Sequence, residues 1–206
     1  RGTDSKRKRR LMSKKIIVGV TGASGAPYLL KLLRVLAEDG VEIHLCVSSL
    51  GKRLLSEELG VTNMSAECFG MPEFHESLVV HNNNDLGSTI ASGTFLHDGM
   101  VILPCSSNTV GSVASGITSN LVQRAALVCL KEKRRLVMAH RESPLSLIDL
   151  RNMCTLAEAG AVIAPLSPGF YMNPNSIEDI VDFMVGKIAD LLGVGHSLPI
   201  RWISGD

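Results

Sequence analysis

Short β-branched runs alternate along this chain with segments of helical periodicity, and that alternation restricts the fold more than any other feature. "KKIIVGV" (14–20) reads as a strand that ends in "TGASGAP", and "YLLKLLRVLAEDG" follows with apolar residues at helical spacing and a stop at Gly40. "VEIHLCV" (41–47) is a second strand, and "LGKRLLSEELG" a second helix closing on Gly60. Strand, crossover helix and strand are the repeating unit of a parallel sheet. "GMVILPC" (99–105) is apolar throughout, as a strand covered on both faces must be. "NLVQRAALVCLKEKR" is helical in pattern, and "RLVMAH" (135–140) is another strand. "SPLSLIDLRNMCTLAEAG" predicts a helix with Pro144 near its start, an apolar stripe at Leu147, Leu150, Met153 and Ala157, and Gly160 as its stop. "AVIAP" predicts a further strand. "SIEDIVDFMVGKIADLLG" predicts a helix opened by Ser176, with Asp179 at capping-box spacing. Residues 61–95 show no clear pattern apart from the polar loop "HNNNDLGS" (81–88). The expected class is α/β: a single doubly wound, mostly parallel sheet, Rossmann-like, in three α/β/α layers.

With 206 residues, 45% of them hydrophobic, the chain can bury one sizeable core. Its 21 basic and 20 acidic residues balance, which argues against nucleic acid or an anionic membrane as partner. The exception is residues 1–13, a strongly basic leader read as disordered, with a nucleic-acid or targeting role as the alternative; residues 14–206 are expected to form the folded domain. No apolar run is long enough to predict a transmembrane helix. The five cysteines (Cys46, Cys68, Cys105, Cys129, Cys154) are scattered and form no C-x-x-C, the pattern of reduced thiols in a cytoplasmic protein. Six histidines without H-x-x-x-H spacing give a metal site little support.

Ligands of such sheets bind beyond the carboxyl ends of the strands. Four loops fall there: "TGASGAP", "SS" (48–49), "PCSSNT" and "RESP". The first three are rich in glycine and hydroxyl groups, and helix N-terminal N–H groups beside hydroxyls make a phosphate cradle. G-A-S-G by itself is neither a dinucleotide nor a Walker motif, and small residues often serve only a tight turn. Adjacent charges such as Arg141 and Glu142 are usually a surface pair. At a strand tip facing the other loops, however, an arginine fork suits a phosphate and a carboxylate can move a proton. Arg124 and Lys131 lie seven residues apart and share a helix face, a solvated face unless a ligand meets it. "PLSPGFYMNPN" (165–175) is a loop bearing Phe170 and Tyr171, able to pack on the core or to cover a ligand.

Taken together, "VGVTGASGAPY", "ASGTF", the run from "GMVILPCSSNTV" to "RESPLSLIDLRNM", and "GAVIAPLSPGFYMNPNSIEDIVDF" resemble the UbiX-like flavin prenyltransferases over about residues 14–202. "LVQRAALVCLKEKR", "RESPLSLI" and "PGFYMNP" carry that resemblance; G-A-S-G does not. It implies a flavodoxin-like fold binding FMN. The implied reaction joins the dimethylallyl group of dimethylallyl monophosphate to reduced FMN at a ring nitrogen and the neighbouring ring carbon. The product, prenylated FMN, would go to a UbiD-type decarboxylase, as in ubiquinone biosynthesis. It further implies a metal-independent, cytoplasmic homo-oligomer, a dodecamer with sites shared between subunits.

By resemblance, Gly22, Ala23 and Ser24 line the FMN site, and Ser48 with Ser106, Ser107, Asn108 and Thr109 holds the FMN phosphate and ribityl chain. Ser92 and Gly93 lie near the ring. Arg124, Lys131, Arg141, Glu142, Tyr171 and Lys187 surround the prenyl phosphate, with Arg124 and Arg141 also reaching FMN, and Trp202 helps close the site. Glu142, Lys131 and Ser24 are the expected catalytic groups, Glu142 as proton carrier. Lys187 stands where the family usually has Arg, and Asn108 where many members have Lys. An FMN-dependent cysteine decarboxylase, which "PCSSNT" and "YMNPN" echo, and a non-catalytic FMN-binding protein are the alternative readings.

Overall fold

The computed structural model describes residues 14–199. Six strands, β1 (Lys15–Val20), β2 (Glu42–Val47), β3 (Leu78–His81), β4 (Gly99–Cys105), β5 (Leu136–His140) and β6 (Val162–Ile163), form one sheet in the order β3-β2-β1-β4-β5-β6. Every neighbouring pair is parallel. This is the strand order of a doubly wound Rossmann sheet, and its direction of winding reverses between β1 and β4. The α-helices among the described residues are α1 (Ala26–Glu38), α2 (Ser49–Leu59), α3 (Ser107–Ala114), α4 (Leu121–Lys131), α5 (Leu147–Glu158) and α6 (Ile177–Leu192).

The central strands are buried from end to end, β4 without a break. Successive side chains alternate between two cores. Ile16, Val18 and Val20 meet α1 and α6 on one face; Ile17, with Met100 and Ile102 of β4, meets α3, α4 and α5 on the other. Leu29, Leu32, Leu33 and Leu36 of α1 are fully buried. Each contributes roughly 1.5–3 kcal/mol relative to exposure, before chain entropy is set against it.

Two elements differ from expectation. β3 arises within the unpatterned stretch 61–95: as an edge strand it leaves Val79 and Val80 exposed and needs no strict alternation. The helix expected to start near Pro144 begins at Leu147. Ser146 caps it in a capping box with Asp149, so Pro144 lies before the helix. Of the apolar stripe on α5, Met153 is buried, whereas Leu147 and Leu150 stand out from the surface with Ile148 beside them.

A polar chain runs across the sheet under Phe95. Lys15 Nζ lies 3.0 Å from Glu42 Oε1, which lies 2.9 Å from His44 Nε2. His44 Nδ1 is 2.9 Å from His81 Nε2, and His81 Nδ1 is 2.8 Å from Ser88 Oγ. A carboxylate only accepts, so His44 donates through Nε2, His81 donates to His44, and Ser88 donates to His81. Burial lowers the proton affinity of both rings. The unfolded chain then binds protons more readily, so the stability that neutral rings provide is present above about pH 6.5 and lost as pH falls. The melting temperature is expected to drop between about pH 7 and about pH 5, and the double variant His44→Leu/His81→Leu to flatten that slope. An unchanged slope would assign it to other groups.

Candidate functional site

The carboxyl ends of β2, β1 and β4 meet at one edge, and hydroxyl groups tie them together. The Thr21 hydroxyl donates to the Pro104 carbonyl at 3.0 Å and accepts the Ser106 N–H at 2.9 Å, so one side chain bridges the tips of β1 and β4. The Ser48 N–H donates to the Val20 carbonyl. Ser48 Oγ caps α2 by accepting the Gly51 N–H at 3.0 Å, and Ser106 caps α3 by accepting the Thr109 N–H. A side chain at Gly51 would meet the Val20 carbonyl at 2.8 Å, so glycine is what lets the first turn of α2 sit against β1. The N-termini of α2 and α3 therefore open side by side, flanking β1.

The first turn of α1 is different. Gly25, at φ 134°, offers no side-chain cap. Glu58 of α2 supplies one: its Oε2 accepts the N–H groups of Gly25 and Ala26 at 3.1 and 2.8 Å. A carboxylate at a helix N-terminus occupies the place an anion would take. The "GASG" loop thus presents Gly22, Ala23 and Ser24, of which Ser24 is exposed, while the two amides nearest α1 are taken. Glu58 was not read from the sequence, because nothing in "SEEL" marks which of its two glutamates turns inward.

Arg141 and Glu142 follow β5 at the same edge. The Arg141 N–H donates to the Cys105 carbonyl at 3.1 Å, and both side chains are exposed. Ser107 Oγ lies 3.0 Å from His140 Nε2. The Ser146 hydroxyl donates to Asp149 Oδ2 at 2.6 Å, and hydrogen bonding from Ser146 holds the Asp149 carboxyl below the usual carboxylate range. The loop 165–175 leaves beside β5, where the Leu166 N–H donates to the His140 carbonyl. On it Tyr171 packs edge-on against Phe183 of α6, ring centroids 5.6 Å apart. Lys187, four residues after Phe183, lies on the same helix face. Tyr171 thus meets the helix that carries Lys187, whose side chain is exposed.

Ser92, Gly93 and Lys131 are elsewhere. α4 runs back across the sheet, so Lys131 at its end lies at the amino edge, where Lys131 pairs with Glu132. A side chain on Gly93 would collide with Glu132, and Arg134 holds the carbonyls of Gly93 and Phe95 at 2.6 and 2.7 Å. Six-residue strands separate this edge from the tips by roughly 17–20 Å. Arg124, exposed one turn into α4, is on the tip side. Trp202 lies outside the described residues.

The tips accordingly supply two open helix N-termini, the Ser48 hydroxyl proton, a guanidinium and a carboxylate. The apolar side chain of Leu50, 60% exposed, stands against Gly22 between them. Amides and hydroxyls suit a phosphate ester, and Leu50 suits the flat face of an aromatic ring. No helix among the described residues is long and apolar enough to cross a membrane.

A family model described as Flavoprotein matches residues 4–189. A flavin prenyltransferase UbiX from Thermoplasma acidophilum is 45% identical over 190 residues, covering 91% of this chain and 99% of the relative. The solved structure of AnUbiX in complex with FMN and dimethylallyl pyrophosphate superimposes with a TM-score of 0.86 at 38% identity, covering 95% of this chain and 100% of that one. A dodecameric FMN-dependent UbiX-like decarboxylase from Escherichia coli gives a TM-score of 0.83 at 40% identity, covering 92% and 100%.

Glu58→Ala removes the cap of α1 and is expected to lower unfolding free energy by about 1 kcal/mol in urea denaturation. Wild-type stability would show that the cap does not matter.

Proposed function

Because this chain belongs to the family of UbiX-like flavin prenyltransferases, we propose that it joins the dimethylallyl group of dimethylallyl monophosphate to reduced FMN, making prenylated FMN for a UbiD-type decarboxylase. The observation that carries this reading is the pair of open helix N-termini beside Arg141 and Glu142 at one switch point. Reduced FMN supplies the nucleophilic ring. The α2 and α3 N-termini and Ser48 bind its phosphate, and the "GASG" loop runs alongside it. Arg141 grips the donor phosphate through its two-point fork, Tyr171 donates a hydrogen bond, and Lys187 adds charge without a fork. Stabilising the phosphate as the allylic carbon–oxygen bond breaks lowers the barrier directly. Glu142 then carries a proton between the reacting ring and the departing phosphate.

Lys131, Ser92 and Gly93 join the site from a neighbouring copy, since their own chain holds them at the far edge. The exposed apolar residues Leu147, Ile148 and Leu150 on α5 suit burial against another copy, in a dodecamer like that of the Escherichia coli relative. The cysteines of the described residues are all unpaired, which suits the cytoplasm.

Anaerobic incubation with reduced FMN and dimethylallyl monophosphate, followed by mass spectrometry, is expected to give a flavin heavier by one isoprenyl unit; unmodified flavin would overturn the reading. Glu142→Gln is expected to bind FMN normally and slow turnover by about 10²–10⁴-fold. Lys131→Ala and Arg141→Ala are each expected to be nearly inactive, and the two variants co-expressed to regain activity through mixed sites. Failure to complement would place both residues' roles within one chain.

A further inference from the structure

We propose that His140 is a positioning residue: through the Ser107 hydroxyl it sets the first turn of α3 against the Arg141–Glu142 tip, fixing the spacing between the two phosphate subsites. The inference rests on the prenyl-transfer reading for the identity of those subsites.

His140 is the last residue of β5 and is 2% exposed. By strand alternation it shares a face with Leu136 and Met138, under α3 and α5. A histidine here, in place of another apolar residue, must find a polar partner or leave its ring nitrogens unsatisfied. The partner is Ser107, the first residue of α3, with Nε2 and Oγ 3.0 Å apart. Two chain segments, the end of β5 and the start of α3, are thereby joined through a single hydroxyl.

The backbone of His140 extends the same tie. Its carbonyl accepts the Leu166 N–H at 2.8 Å, which anchors the loop bearing Tyr171, and Arg141 follows it directly. Arg141 and Glu142 are exposed, and nothing else buried lies so near them in sequence. The position of the arginine fork relative to the α3 amides therefore depends on how His140 is seated. Burial, with Arg141 adding to it, lowers the proton affinity of the ring against the pull of Asp149 and Glu142, in keeping with a neutral donor facing a helix N-terminus.

The test uses the full chain and three variants: His140→Leu, which fills the space without a donor; His140→Gln, which restores an N–H; and Ser107→Ala, which keeps the α3 backbone. FMN affinity is read from quenching of oxidised flavin fluorescence, with no prenyl donor present, and the KM for dimethylallyl monophosphate is read separately. His140→Leu and Ser107→Ala are each expected to weaken FMN binding and raise that KM about tenfold, the loss of one hydrogen bond. His140→Gln is expected to stay within about twofold, and the Leu/Ala double variant to be no worse than either single one. If His140→Leu does not fold, His140→Met takes its place with the same expectation. Wild-type affinity in His140→Leu and Ser107→Ala, or a loss in His140→Gln as large as in His140→Leu, would overturn the proposal. If the wild type forms no prenylated flavin while the affinity pattern holds, the catalytic reading fails and the positioning role stands.

Discussion

Parallel pairing between β1 and β4, with the chain winding away from that pair in opposite directions, is the constraint on which the rest of the structure depends. It opens a gap at the carboxyl edge between helices that lie on different faces of the sheet. The Thr21 hydroxyl, bonded to both Pro104 and Ser106, keeps the two tips in step. The Thr21 N–H, also on the Pro104 carbonyl, and the Ser48 N–H, on the Val20 carbonyl, complete the ties between the tips that carry the N-termini of α2 and α3. Preorganised donors are effective because no energy is spent orienting them once charge develops.

The edge is built by using up competing groups. Glu58 satisfies the α1 N-terminus, so the positive ends left open are those of α2 and α3. The carboxylate that takes these donors comes from a different element than the one it caps. The same bond that settles electrostatics therefore also packs helices against strand tips.

Most of the sheet was legible in the sequence because its central strands are buried on both faces and read as unbroken apolar runs, "GMVILPC" above all. β3 was not, since an edge strand can leave Val79 and Val80 in solvent. The start of α5 was misread because Pro144 resembles an N-terminal proline, whereas the capping box at Ser146 and Asp149 decides the boundary. The loops at the tips were legible from glycine and hydroxyl content. The four histidines whose proton affinity burial lowers, His44, His81, His97 and His140, were seen only as lacking metal spacing. His44 sits between Ile43 and Leu45 at the period-two position of a strand, and His140 ends another, so a buried polar role was implicit in the alternation. The far placement of Lys131, Ser92 and Gly93 was beyond any local pattern: it follows from the direction in which α4 crosses the sheet.

On the proposed reading, one chain holds the two halves of its machinery on opposite edges, which a monomer cannot reconcile and a closed assembly can. The claim beneath this account is that the tips of β2, β1 and β4 hold the flavin phosphate. A crystal structure of the full chain grown with FMN tests it directly. The account predicts the phosphate among Ser48 and the first turn of α3, with the ring reaching toward Arg141 of the same chain and Gly93 of a neighbour; density for the phosphate at the amino edge, or on the outer face of any helix, would contradict it.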